Sequence, residues 1–124
     1  MRAAQRALAL ALLAWSAAAS AAATPAAVRA EIDALLLRLA DSGCSFRRGT
    51  QWHAAAEARS HLLRKLAAAE QRGQLTSTEQ FIDTLAARSS SSGQPYAVRC
   101  AAGAAVQPSA IWLHTQLLQL RQPR

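Results

Sequence analysis

The chain has 124 residues, carries 14 lysines and arginines against 7 acids for a formal net charge of +7, and is 52% hydrophobic. That length is one domain of ordinary size, able to bury a modest core. Nearly all the basic residues are arginine and alanine is abundant throughout, which is codon bias in a GC-rich bacterial genome before it is phosphate recognition. The functional alternative is attraction to anionic partners such as lipid headgroups or envelope polysaccharide. Nucleic acid is not expected, because the few scattered aromatic residues offer no stacking platform.

The order of residues at the start is basic, apolar, then small. Arg2 and Arg6 precede the apolar run Ala7 to Trp15, and the triplets Ala17-Ala18-Ala19 and Ala21-Ala22-Ala23 follow. This is the pattern of a secretory signal peptide. The run is shorter than the roughly 20 residues a membrane span needs, so cleavage is expected, after Ala23 in first place and Ala19 in second. No stable membrane insertion is expected after cleavage. Residues 1–23 are thus read as the leader and residues 24–124 as a single small periplasmic or secreted domain. Losing Arg2 and Arg6 lowers its formal charge from +7 to +5.

Pro25 sits at the first turn of an expected helix. Val28, Ile32, Leu35, Leu36 and Leu39 form its apolar stripe at helical period, and Asp41-Ser42-Gly43 ends it. Thr50 is read as the cap of a long second helix, from about Gln51 to Arg72, with Gly73 as its stop. Trp52, Ala55, Leu62, Leu66 and Ala69 can share one face of it. Thr76-Ser77-Thr78-Glu79 has the spacing of a capping box and opens a third helix carrying Phe81, Ile82 and Leu85 inward. Ser89 to Pro95 breaks it, and Tyr96 to Cys100 alternates as an extended segment, read as a lone strand or an edge. After a small-residue loop, Pro108-Ser109 starts a fourth helix with Ile111, Trp112, Leu113, Leu117, Leu118 and Leu120, ended by Pro123. Trp52 and Trp112 are both read as core.

The expected fold is therefore mainly α: a small four-helix domain with one short extended segment and one disulfide. Cys44 and Cys100 are the only cysteines. In an oxidising compartment an even pair is most simply one bridge, and the chain-entropy model gives a loop this long roughly 4 kcal/mol of stabilisation. No Cys-x-x-Cys supports a thioredoxin-like alternative.

Three stretches stand at fixed spacing: Phe46-x-Arg48; Glu57-Ala58-x-x-His61-Leu62-x-x-Lys65; and Phe81-Ile82-Asp83, followed by Ser89-Ser90-x-Ser92-Gly93-x-Pro95-Tyr96. Together they resemble the YfeK-like proteins, catalogued as domain of unknown function 5329. The resemblance runs from about Asp41 to Cys100. It departs at Gly49-Thr50, where Asn-Gly is usual, and at Gln94 and Ala87, where Lys and Ser are frequent. It implies a small exported bacterial protein and supplies no activity.

Glu57, His61 and Lys65 follow one another at i, i+4 and i+8, so Glu57 can orient His61 and Lys65 stands one turn beyond. A histidine held by a carboxylate is a possible general base. The preferred reading is structural, with His61 bonding the serine loop to the helix. The resemblance favours a shared binding surface of Arg48, Glu57, His61, Lys65, Ser89, Ser90, Ser92 and Tyr96, where basic groups beside hydroxyls suit an anion. No Gly-x-Ser-x-Gly elbow accompanies the serines. On one helix His53 and His61 would be separated by about 12 Å of rise and 80° of rotation, and could share a metal only if the helix began after His53. No metal or cofactor is expected. His114 is read as solvated on the polar side of the last helix. These features point to a non-catalytic module for an envelope protein or a small anionic ligand. The alternative is a small hydrolase using His61 with a serine of the Ser89–Ser92 run.

Overall fold

The computed structural model describes residues 23–73 and 75–123. The expected leader and both of its cleavage sites, except Ala23 itself, lie outside them. Four α-helices occur among the described residues: α1 (Ala26–Ala40), α2 (Ala55–Arg72), α3 (Thr78–Phe81) and α4 (Ser109–Arg121). A π-helical turn, Ile82–Ala86, continues α3. Four strands, β1 (Ser45–Arg48), β2 (Gln51–Ala54), β3 (Ala97–Arg99) and β4 (Gln107–Pro108), form one antiparallel sheet in the order β2-β1-β3-β4.

The fold is therefore α+β, and the expectation of a mainly helical domain is corrected. The decisive element is the β1–β2 hairpin. Arg48 pairs with Gln51 across a two-residue turn, Gly49-Thr50. Gly49 has φ +62° and, among the described residues, only glycines have positive φ, which is the arrangement of a type II′ hairpin turn. Thr50 thus belongs to a turn and does not cap a helix. Gln51–Ala54 is strand, and α2 begins at Ala55 after Ala54. The extended reading of the later segment holds over Ala97–Arg99, but β3 lies between β1 and β4 and is neither alone nor at an edge.

The helix stripes pack as their periods dictate. Ile32, Leu35, Leu36 and Leu39 of α1 are buried, with Leu62 and Leu66 of α2 and Trp112, Leu113 and Leu117 of α4. Phe81, Ile82 and Leu85 point inward, as read, and Phe46 and Val98, cross-strand neighbours, bring the sheet into the same cluster. Trp112 meets Phe46 edge-on at 5.5 Å. Trp52 departs from its expected core role. It stands on β2, half-buried, with the guanidinium groups of Arg47 and Arg99 at 5.4 and 4.7 Å from its ring centroid. The capping signal is shifted by one residue: the Ser77 hydroxyl accepts from the Gln80 N–H at 3.0 Å, and Glu79 is turned to Arg121. Gly73 ends α2 as expected. His114 is not simply solvated, since its Nε2 lies 2.7 Å from the Asp83 carboxylate.

The register that pairs Ser45 with Arg99 brings Cys44 opposite Cys100, and the two form a disulfide across the end of β1 and β3. None of the described helices is long and apolar enough to cross a membrane.

Candidate functional site

The β1–β2 hairpin and the first half of α2 enclose a cavity of about 400 Å³, with Tyr96 on its wall. Side chains alternate along β1, so Arg48 shares the inner face with buried Phe46. His61 rises from the second turn of α2, and Tyr96 stands immediately before β3. The three meet. Arg48 Nη1 lies 2.9 Å from His61 Nδ1, and His61 Nε2 lies 3.1 Å from the Tyr96 hydroxyl.

Lys65, one helical turn beyond His61, donates to the same hydroxyl at 3.1 Å and to the carbonyl of Arg88 at 2.8 Å. Its ammonium group lies 4.9 Å from the Tyr96 ring centroid. Lys65 is not part of the cavity wall but supports Tyr96 from behind. It is Lys65, rather than His61, that ties the start of the serine loop to α2.

A guanidinium has only hydrogens to give, so the His61 nitrogen it meets must accept. Arg48 Nη1 stands 2.9 Å from Nδ1 and 3.3 Å from Nε2, and the tautomer sets which of His61 Nε2 and the Tyr96 hydroxyl donates to the other. Protonation is opposed by burial and then by the nearby charges of Arg48, Lys65, Arg64 and His53, which together pull the His61 pKa down to about 4. Burial, then Arg48, also lowers Lys65, whereas burial raises the Tyr96 hydroxyl against the opposing influence of Arg48. At neutral pH the cluster thus sets a neutral imidazole and a neutral phenol beside Arg48 and Lys65.

Arg47 and Arg64 also contribute to the wall, as do His53 and Ser60, none of which the sequence singled out as a candidate. The hairpin turn was the available signal for His53, because a reversal at Gly49-Thr50 pairs Phe46 with His53 and so sets His53 on the same face as Arg48. Glu57 does not orient His61. Its carboxylate lies 3.1 Å from His53 Nδ1, leaving His53 Nε2 enclosed and without a partner among the described residues. The other acids that form ion pairs are engaged elsewhere, with Arg29, His114 and Arg121. Arg48, Arg64 and Lys65 thus have no carboxylate partner among the described residues. The α2 N-terminus, which has no side-chain cap, places Ala56, Glu57 and Ala58 on the wall, where the Glu57 carboxylate offsets the positive end of the helix.

The serine loop is self-contained. The Ser89 N–H donates to the Gln94 carbonyl at 2.9 Å, and the Gly93 N–H donates to the Ser89 carbonyl at 2.9 Å. The Ser89 hydroxyl accepts from the Ser92 N–H, and the Ser92 hydroxyl accepts from the Gln94 N–H. Ser89, Ser90 and Ser92 neither bond His61 nor line the cavity, so the serine–histidine arrangement needed for the hydrolase alternative is not formed. Helix α2 does begin after His53, which meets the condition for His53 and His61 to approach one site. Among the described residues, however, no group of three potential metal ligands gathers.

The model of a family of unknown function, DUF5329, matches residues 26–121. The chain belongs to this family. DUF5329 carries the family-level resemblance seen in Phe46-x-Arg48, the His61 helix and the serine loop, while the narrower YfeK-like designation goes beyond the match. No curated protein and no solved structure matches the chain. The DUF5329 match therefore assigns no chemistry, and the site rests on its own geometry.

Proposed function

We propose that this DUF5329 protein is an exported, non-catalytic module that binds a small anionic ligand in the cavity between the β1–β2 hairpin and α2. The observation that carries this reading is the gathering of Arg48 and Arg64 on the cavity wall with no carboxylate partner among the described residues. An incoming anion would accept from the N–H groups that these guanidiniums leave free. A small ligand is favoured over an envelope protein because the cationic groups line a concavity of the size that takes small molecules.

Export is supported by the leader-like order of the first 23 residues and by the bonded Cys44–Cys100 pair. Residues 24–124 are read as the mature domain. Two experiments test the whole reading. The first is fractionation of cells with N-terminal sequencing of the product, where a chain starting at Thr24 is expected and an intact cytosolic chain overturns export. The second is calorimetric titration of the purified domain with a panel of small anions. Binding that weakens about tenfold in Arg48→Met is expected; equal affinity in wild type and variant overturns the site.

A further inference from the structure

The hydrogen inventory of the cluster and the shape of the cavity point to a ligand class. Resting on the anion-binding reading above, we propose that the ligand is an amphiphilic monocarboxylate, its carboxylate held between Arg48 and the Tyr96 hydroxyl and its apolar part against Phe46, Ala56 and Leu62.

Tyr96 supplies the first argument. Its oxygen accepts from Lys65 Nζ at 3.1 Å and stands 3.1 Å from His61 Nε2. Tyr96 lines the cavity, so its hydroxyl, held in place by these two groups, can bond a ligand oxygen there. Arg48 uses one terminal nitrogen on His61; the rest of its planar fork is available to a second ligand oxygen. A carboxylate supplies two oxygens at the separation such donors want. His61 and Lys65 act as positioning residues, because their contacts with the Tyr96 oxygen hold the hydroxyl at the cavity wall.

The remaining wall supplies the second argument. Phe46, Ala56, Ala58 and Leu62 bring carbon surface to the same cavity. At about 30 Å³ per water, a volume of about 400 Å³ corresponds to roughly a dozen waters. An inorganic phosphate would leave most of that space and all of the apolar wall unfilled. A carboxylate with a short hydrocarbon tail fills both.

The test uses three soluble probes, octanoate, octan-1-ol and inorganic phosphate, titrated into the disulfide-bonded domain by calorimetry with two-dimensional NMR as a fold check. Octanoate is expected to bind at least tenfold more tightly than either of the others. Ala56→Phe, at an exposed position of the first α2 turn, fills the apolar end and should weaken octanoate about tenfold. Tyr96→Phe removes the hydroxyl together with its contacts to His61 and Lys65, and should weaken octanoate several-fold. Phosphate binding as tightly as octanoate would overturn the amphiphile assignment while leaving the anion-binding reading intact. Octan-1-ol matching octanoate, or no probe binding at all, would overturn both. An Ala56→Phe domain that stays folded and keeps full octanoate affinity would overturn the placement of the tail.

Discussion

His61 is the side chain whose state governs the cluster, and its titration has a definite sign. Its pKa of about 4 in the folded protein lies below the ordinary histidine value of 6.5. The unfolded chain therefore takes up a proton where the folded one does not. The stability linked to His61 is fully present above pH 6.5 and is lost as the pH falls through about 4. The ring is partly exposed, so solvent screening holds the contribution to about 1 kcal/mol or less. An NMR titration should show the His61 imidazole inflecting near pH 4, and the acid-side loss of stability should be shallower in His61→Gln. A ring that titrates at its ordinary value would contradict the packing of Arg48 and Tyr96 around it. Spacing alone misplaced one partner here. Glu57 stands four residues after His53 and four before His61, and i, i+4 reach works in both directions. The strand-to-helix junction at Ala54 decides for His53.

At the scale of elements, the helices were legible and the sheet was not. Helices α1 and α4 carry apolar stripes long enough to establish a 3.6-residue period. Strands of two to four residues carry too few alternations to establish a period of two, and Gln51–Ala54 runs directly into a strong helix former. The hairpin therefore depends on its turn. Val at position 49 would have to adopt φ near +62°, a left-handed conformation that costs a β-branched residue about 1–2 kcal/mol. Gly49→Val should lower the urea midpoint accordingly and, by shifting Arg48, weaken anion binding as well. Gly49→Asn should cost less, because asparagine tolerates that region. Equal stability in wild type and Gly49→Val would mean that the turn has another geometry. The candidate cluster was legible in its members, since Arg48, His61, Lys65 and Tyr96 do meet, but the serines of the same resemblance serve their own loop.

At the scale of the molecule, one continuous core joins all four helices to the sheet, and the bridge between Cys44 and Cys100 closes a stretch with a sequence separation of 56. The chain-entropy model assigns such a loop about 4 kcal/mol. In a domain this size, that corresponds to a fall in Tm of more than ~15 °C on reduction. Thermal melts with and without reductant check this, as does a mass difference of two hydrogens. The parity of the cysteines made the pairing readable; its position, across neighbouring strand ends, required the sheet. The same bridge makes residues 44–100 a covalent ring from which α1 and α4 extend as two arms. Protease attack at the exposed tip around Ser91 and Ser92 would open the ring without dividing the molecule. A nicked sample should run as one species on a gel without reductant and separate into two fragments once the sulfurs are reduced, so a cut in this loop accumulates without releasing either piece.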